Sequence, residues 1–179
     1  SKMPEQDVVA IAQSGENGCA VVLSFRGGKL VDKSEYVMKD LSADPASVTE
    51  FLQSFYADKE DIPKEIALHE ECEDTELLSL WLSEKAGHRV TVSVPQKGER
   101  RKITEMAYNN AAERLSHERL RTSREIAVLD ELARLLGLEK PPERIEAYDI
   151  SNFGAETVVG GMVVYENARP KRSDYRKFS

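Results

Sequence analysis

The sequence predicts an α/β fold, and two observations carry the prediction. Apolar segments of strand length and of helix length follow one another in the order β-β-β-α-β-α-β-α through the first two thirds of the chain. A strand, a turn and further strands then begin again near residue 144. With 179 residues, 40% apolar and 32% charged, the chain can hold one full core and part of a second. We therefore expect a mixed sheet with flanking helices, then a helical connector and the first β-meander of a second, similar domain.

The first three predicted strands form a meander. Residues 8–12 and 20–25 are apolar, and Gly15 and Gly18 mark a hairpin turn between them. Gly27 and Gly28 mark a second turn, which leads into a third strand over residues 30–38. This pattern is typical of three consecutive antiparallel strands.

Helices and single strands alternate after the meander. Asp44 is a good N-cap with Pro45 at the first helical position, and two more helices are predicted from residue 77 and from residue 103. Strands at 66–69 and 90–94 separate them. The residues predicted to form the apolar faces of the first two helices are Val48, Phe51, Leu52, Phe55 and Tyr56, then Leu77, Leu78 and Trp81. Trp81 is interpreted as core rather than as a base-stacking platform.

A helical connector is expected next. Thr122 with Glu125 resembles a capping box that would start a new helix, with an apolar stripe through Ile126, Leu129, Ala133 and Leu136. One continuous helix over residues 100–136 is the alternative. Pro141 and Pro142 then require an extended backbone before the next strand.

Composition narrows the classes of protein. No apolar run reaches the roughly 18 residues of a membrane span and no signal-peptide core is present, so we expect a cytoplasmic protein without membrane contact. The two cysteines, Cys19 and Cys72, have no metal-binding spacing and are expected to be reduced.

Charge is distributed very unevenly around a net value of −7. Residues 1–76 carry 7 Lys and Arg against 17 Asp and Glu, whereas residues 97–124 carry 8 against 4 and residues 169–179 carry 5 against 1. Local clusters of cations bind phosphates even in an acidic chain. The two basic segments are therefore candidates for DNA contact, with a solvated helix face and a charged edge strand as the alternatives.

One carboxylate stands within an apolar strand pattern. Ile145, Ala147, Tyr148 and Ile150 predict a half-buried strand, and Asp149 lies among them. A carboxylate in such a place is costly unless it is hydrogen-bonded, paired or bound to a metal ion. An aspartate on the first strand of a β-meander is typical of RNase H-like nucleases.

Residues 144–178, with the sequence RIEAYDISNFGAETVVGGMVVYENARPKRSDYRKF, resemble the start of the endonuclease domain of the UvrC family. A weaker resemblance extends back to the N-terminus through Gly98, Asn110 and Ala111. The family comprises the nuclease components of the bacterial UvrABC excinuclease, which carries out nucleotide excision repair. The chain is thus expected to be an internal fragment of such a nuclease.

The resemblance implies a function and a set of residues. The intact protein would make Mg²⁺- or Mn²⁺-dependent incisions in damaged DNA, working with UvrB in the UvrA–UvrB system. Asp149 would be a catalytic metal ligand, while the other acidic ligands and a histidine would lie beyond Ser179. The fragment alone would bind no metal ion and would be inactive. The candidate DNA-binding residues are Arg169, Lys171, Arg172, Arg176 and Lys177.

Two other functions remain open. The region could be a non-catalytic scaffold that docks UvrB, with catalysis elsewhere. It could also be an actin-like phosphotransferase, because residues 149–157 with Gly160 and Gly161 loosely resemble a first phosphate loop. Further carboxylates on later strands would favour the nuclease, and a second phosphate loop the kinase.

The predicted domains are residues 1–119, RNase H-like without catalytic carboxylates; 120–142, the connector; and 143–179, the truncated start of the endonuclease domain. Alignment of the two meanders places Asp149 over Ala12, so the first copy lacks the carboxylate of the first strand. His69 with Glu70 and Glu71 is a weak candidate for a remaining ligand cluster there. The unfinished sheet edge of the second copy is a possible site of self-association.

Overall fold

The computed structural model describes residues 5–41, 46–153 and 157–178. The chain forms two compact units, Ser1–His117 and Glu118–Ser179. The secondary structure runs β1 (Gln6–Ser14), β2 (Asn17–Arg26), β3 (Lys29–Met38), α1 (Ala46–Tyr56), β4 (Glu65–Leu68), α2 (Thr75–Ala86), β5 (Thr91–Ser93), α3 (Gly98–Leu136), β6 (Arg144–Phe153), β7 (Thr157–Glu166), β8 (Arg169–Pro170), a 3₁₀ turn (Arg172–Asp174) and β9 (Arg176–Phe178). The predicted fold class is confirmed. None of the described helices combines the length and the apolarity that a bilayer crossing requires.

The first unit is a five-stranded mixed sheet with a core on each face. The strand order is β3-β2-β1-β4-β5, antiparallel in the meander and parallel from β1 to β5. Alternate residues of β1 point to opposite faces. Ala10 thus packs in a core with Ala107 and Ala111 of α3, and Val9 in a core with Leu52 of α1 and Leu82 of α2.

Two helix predictions in this unit have different outcomes. The buried residues of α2 are Leu78 and Leu82, whereas Leu77, which was predicted to share the apolar face, is exposed. Residues 78 and 82 are one turn apart on the same face, while residue 77 lies about 100° around the helix from residue 78. Trp81 packs against the core, as predicted. The predicted cap at Asp44 and Pro45 lies outside the described residues, and α1 is described from Ala46.

Of the two alternatives for residues 100–136, the structure has the continuous helix, because α3 runs without a break over 39 residues. The hydroxyl of Thr122 donates to the carbonyl of Glu118 at 3.0 Å, one turn back within the helix, and so caps no new helix. In the predicted stripe, Leu129 and Ala133 are buried but Ile126 and Leu136 are exposed. A capping-box motif inside a helix of strong formers does not end it.

The second unit contains a smaller antiparallel sheet. Strand β6 pairs with β7 along its whole length, and both β8 and β9 pair with β7. The strand that carries Asp149 is not half-buried as predicted: Tyr148 is 61% exposed and Ile150 is 70% exposed. No described residue covers this part of the sheet, so its apolar pattern has no opposing layer there. Strand β6 extends to Phe153, and residues 154–156 lie outside the described residues.

The second and third strands of the two meanders repeat with a spacing of 140 residues. Strands β2 and β7 are both ten residues long and start 140 residues apart, at Asn17 and Thr157. Each is followed by a two-residue turn in which both residues have positive φ, and the next strand begins at Lys29 or Arg169. This structural match supports the predicted repetition of the fold.

Strand pairing corrects the alignment of the first strands by two residues. Asp149 pairs with Gly161, which lies 140 residues after Val21, and Val21 pairs with Ala10. Asp149 is therefore equivalent to Ala10, not to Ala12. The alignment with Ala12 uses an offset of 137 residues for the first strands and 140 for the second, as if the second loop were three residues longer. Two residues separate β1 from β2 and three separate β6 from β7, so the loop is longer by only one residue. The correction keeps Asp149 on the same face of its strand, because the side-chain period is two.

Candidate functional site

Asp149 lies in the middle of β6 with its side chain exposed. No hydrogen bond or ion pair joins its carboxylate to any other residue within the described ranges. Residues directly opposite each other on antiparallel strands share one face of the sheet. The residues on the Asp149 face are therefore Ile145, Ala147 and Ser151 of β6, Val159, Gly161, Val163 and Tyr165 of β7, and Lys177 of β9.

Asp149, Gly161 and Lys177 form one row across three strands. Gly161 pairs with Asp149 on one side and with Lys177 on the other. Adjacent strands lie about 4.8 Å apart, so the backbones of Asp149 and Lys177 are about 10 Å apart with Gly161 between them. A Cβ placed on Gly161 would meet no atom within 4 Å, so the space above the centre of the row is open.

A shallow concave surface of about 340 Å³ lies behind this row, mainly on the opposite face of the sheet. Its apolar lining comes mainly from the other face of the sheet, where Tyr148 and Ile150 are exposed on β6 and Phe178 is exposed on β9. Gly160 lies on that face too, because a Cβ there would lie 3.7 Å from the side chain of Phe178. The two faces thus differ: one is apolar around Gly160, and the other carries opposite charges around Gly161.

A polar network supports the start of β6. Arg144 donates from Nη1 to Oδ2 of Asp174 at 2.7 Å and from Nε to Oε1 of Glu146 at 2.8 Å, and the hydroxyl of Tyr148 donates to Oε2 of Glu146 at 2.6 Å. These hydrogen bonds, first from Tyr148 and then from Arg144, lower the pKa of Glu146. Sequence reasoning missed the network, although the alternate spacing of residues 144, 146 and 148 placed them on one face.

The described residues do not form a complete metal site. No group of three or more His, Cys, Asp or Glu side chains within the described ranges is arranged to hold a metal ion. Mg²⁺ prefers six oxygen ligands in an octahedron. Asp149 can supply at most two of these oxygens, so the described residues do not by themselves form a two-metal centre.

The cations of the basic C-terminal segment fall into two groups. Arg169 donates from Nε to Oε2 of Glu125 at 2.8 Å, and its Nη2 lies 3.3 Å from Oε1 of Glu118 and 3.4 Å from the hydroxyl of Thr122. The hydrogen bond to Glu125 is the main reason why the pKa of Arg169 is raised. Lys171 pairs with Glu166 at 3.0 Å. These two cations therefore have carboxylate partners.

The other three cations have no carboxylate partner in the described part of the chain. Arg176 donates from Nη1 to the carbonyls of Ser173 at 3.0 Å and Tyr175 at 2.9 Å. Arg172 and Lys177 are exposed, and neither side chain pairs with any residue that the structure describes. The charges of Arg172, Arg176 and Lys177 are therefore not offset by a described carboxylate.

The equivalent position in the first unit has no carboxylate. Ala10 is 2% exposed and lies in the core with α3. His69 at the end of β4 stacks on Tyr108 with a ring separation of 4.3 Å, and Arg101 donates to its carbonyl at 2.9 Å. Burial and the neighbouring charge of Arg101 lower the pKa of His69. The suggested cluster of His69 with Glu70 and Glu71 is not among any metal-binding groups of the described residues.

Most cations of the basic segment 97–124 whose contacts are described also have partners. Arg100 pairs with Glu65 at 2.8 Å, Arg114 lies 3.6 Å from Glu35, and Arg121 pairs with Glu118 at 2.6 Å. Their partners lie far away in the sequence or one helical turn away, and only the helical spacing could be read from the chain. DNA contact by this segment remains a prediction.

The mixed sheet with flanking helices fits the class of the RNase H-like domains. Comparison with protein families gives the same class twice: residues 5–118 match the UvrC Ribonuclease H-like domain, and residues 133–179 match the UvrC RNAse H endonuclease domain. The chain belongs to the UvrC family.

Three relatives illustrate the similarity, all named UvrABC system protein C. The chain is 40% identical to that of Acetivibrio thermocellus over 182 residues, 40% identical to that of Clostridioides difficile over 179 residues, and 42% identical to that of Caldanaerobacter subterraneus over 180 residues. These alignments cover 97 to 98% of this chain but only 29 to 30% of each relative. The chain thus spans less than a third of the length of the relatives it matches.

Proposed function

We propose that the intact protein is the nuclease subunit of bacterial nucleotide excision repair and that it cuts the phosphodiester backbone of damaged DNA. The proposal rests on the match of residues 133–179 to an RNase H endonuclease domain and on the exposed, unpaired carboxylate of Asp149 within that segment. An exposed carboxylate without a described partner is accessible to a metal ion, which takes oxygen ligands of this kind.

Asp149 is the proposed ligand of Mg²⁺ or Mn²⁺ in the intact protein. Such ions activate water and stabilise the leaving oxygen in phosphodiester hydrolysis. The described residues do not complete a metal site, so the remaining ligands would come from other parts of the intact protein. The fragment alone would then bind the ion weakly and leave DNA uncut.

The proposed division of labour follows the predicted domains. Residues 1–119 would be a non-catalytic scaffold, because Ala10 occupies the position of the catalytic aspartate inside the core. Residues 120–142 would connect it to residues 143–179, the start of the endonuclease domain. The match of residues 5–118 to a separate UvrC Ribonuclease H-like domain supports this division.

DNA would bind through the basic C-terminal segment. Arg172, Arg176 and Lys177 are the strongest of the five candidates, because no described carboxylate neutralises them. Arg169 and Lys171 would contribute less, since their carboxylate partners would compete with phosphate. Damaged DNA, UvrB and the UvrA–UvrB system are the proposed partners, in line with the UvrABC name of the relatives. The scaffold formed by residues 1–119 would also be compatible with a role in docking UvrB.

The test is the substitution Asp149→Asn in the full-length protein. It keeps the shape of the side chain but removes the negative charge, so incision by this domain should fall by orders of magnitude while DNA binding is largely kept. Nicking of a lesion-containing duplex with Mg²⁺ or Mn²⁺ measures the incision. The matched control is Asp130→Asn, which makes the same chemical change at an exposed helix position. Incision at the wild-type rate by the Asp149→Asn protein would refute the assignment.

A further inference from the structure

The backbone conformation at Gly161 does not require glycine. Its φ is not among the positive values of the described glycines, so any residue could adopt its conformation. Glycine weakens the interior of a strand, and within a strand it often marks a place where a ligand or another backbone approaches closely. Nothing described fills the space above Gly161. Because Gly161 has no side chain, the surface of the sheet between Asp149 and Lys177 is open.

The neighbouring Gly160 provides an internal contrast. A Cβ on Gly160 would make ordinary contacts with Phe178 at 3.7 Å and with the carbonyl oxygen of Asp149 at 3.9 Å, on the apolar face. The empty space at Gly161 is thus a property of the Asp149 face and not of the strand as a whole.

Lys177 supplies a positive charge to the same face. On the strands β6, β7 and β9, as far as they are described, it is the only cation on the side that carries Asp149. Its side chain is exposed and has no described partner. The carboxylate of Asp149 repels an approaching phosphodiester. The ammonium group of Lys177, on the other side of Gly161, offsets that repulsion and can donate hydrogen bonds to the phosphate oxygens.

We propose that Asp149, Gly161 and Lys177 form a single binding row for the phosphodiester that is cut, in which Gly161 leaves the space for the phosphate and Lys177 binds its oxygens. The inference rests on the proposed nuclease function and deepens it. It assigns Gly161 to the site. It also specifies that Lys177 binds the phosphate that is cut, whereas the proposed function says only that the basic segment contacts the DNA backbone.

The first test couples Lys177 to that phosphate. The cut position is mapped with the wild-type full-length protein, and a neutral methylphosphonate is then placed there in a lesion-containing duplex. Binding is followed by fluorescence anisotropy in EDTA. Lys177→Ala should weaken binding to the natural duplex about tenfold, as expected for a hydrogen bond to a charged group, and should have almost no further effect on the modified duplex. Lys177→Arg should restore binding.

The matched control is Lys140→Ala, which removes the same charge from an exposed lysine outside the sheet. Its effect should be small and should be equal on the two duplexes. If Lys177→Ala weakens binding equally on both duplexes, Lys177 contacts another phosphate and the row is wrong. If it weakens neither, Lys177 does not bind DNA and the row is equally wrong.

The second test places a side chain in the open space above residue 161. Gly161→Val should lower the incision rate at least tenfold with unchanged thermal unfolding, because the added methyl groups project into the space of the phosphate; Gly161→Ala should have a smaller effect in the same direction. Gly160→Ala is the control on the opposite face and should cut normally. If Gly161→Val is unstable, Gly161→Ala with Gly160→Ala decides the outcome.

The two proposals fail in different ways. Normal incision by Gly161→Val and normal binding by Lys177→Ala, together with loss of incision by Asp149→Asn, would overturn the row but leave the nuclease assignment intact. Normal incision by Asp149→Asn would overturn the nuclease assignment and the row with it.

Discussion

At the scale of residues, specific carboxylates pair with many of the cations among the described residues. Arg169 shows why a basic residue in a basic segment is not automatically free for DNA. Its guanidinium contacts Glu125 and Glu118, whose side chains are only 19% and 10% exposed. Partly buried pairs of this kind are less screened by salt than surface pairs. The charge of Arg169 is therefore used in ion pairs within the second unit.

We expect Arg169→Ala to lower the free energy of unfolding by about 1–3 kcal/mol, because the poorly exposed carboxylate of Glu125 loses its 2.8 Å hydrogen bond and keeps only Arg121, at 3.8 Å. The double variant Arg169→Ala, Glu125→Ala should recover part of that loss. Chemical denaturation of the four proteins in the cycle measures the coupling. Additive losses would show that the ion pair contributes nothing to stability. Lys171→Ala, at a more exposed pair, is the control and should cost less.

His69 should make stability depend on pH. Its pKa is lowered in the folded chain by burial and by the charge of Arg101, so the unfolded chain binds a proton more readily. The stability that neutral His69 contributes is fully present above its unfolded pKa of about 6.5 and is lost as the pH falls through the lowered, folded pKa.

The measurement is denaturant unfolding between pH 8 and pH 5. His69→Phe keeps an aromatic ring for stacking on Tyr108 but cannot be protonated, so its stability should fall less over this range than that of the wild type. Equal pH dependence in the wild type and the His69→Phe protein would contradict the prediction.

At the scale of elements, two-residue turns with positive φ close the second hairpin of each meander. In the first unit both turn residues are glycine, whereas the second uses Asn167 with φ 50° and Ala168 with φ 64°. Positive φ at both central positions is typical of the type I′ turn, which strongly favours Asn followed by Gly. Ala168 is therefore strained, because its Cβ lies too close to the backbone in the left-handed region.

Ala168→Gly should relieve that strain and raise the free energy of unfolding by about 0.5–1 kcal/mol, the cost of a left-handed alanine reduced by the greater chain entropy of glycine. Thermal unfolding of the whole chain measures the change. Gly28→Ala tests the same turn position in the first unit, where φ is 77°, and should be destabilising. A loss of stability in Ala168→Gly would mean that the entropy of the unfolded chain outweighs the strain of Ala168.

At the scale of the whole molecule, the two units differ in the size of their cores. The first has a buried cluster on each face of its sheet. Among the described residues of the second, the buried apolar side chains are Leu129, Ala133 and Val164. Ordering the backbone costs roughly 1–2 kcal/mol per residue, and a three-stranded meander buries little to offset it.

Residues 1–119 produced alone should therefore fold cooperatively, while residues 120–179 produced alone should stay largely unfolded. Circular dichroism and amide hydrogen exchange on the two fragments measure this difference. Protected amides in β6 and β7 of the isolated second fragment, or a lack of protection in the first, would contradict it. Light scattering of the whole chain tests whether the sheet edge of the second unit leads to self-association.

The sequence by itself determined the order of the elements, the α/β class and the place of Asp149 on a first strand, because hydrophobic periodicity and turn residues are local signals. Local signals cannot give register across a loop of different length, so only strand pairing showed that Asp149 is equivalent to Ala10 and lies opposite Gly161. Nor can they tell which cation meets which carboxylate: Arg169 and Glu125 are 44 residues apart in the chain. Tertiary structure decided these points, because pairing and burial depend on distances between segments that lie far apart in the sequence.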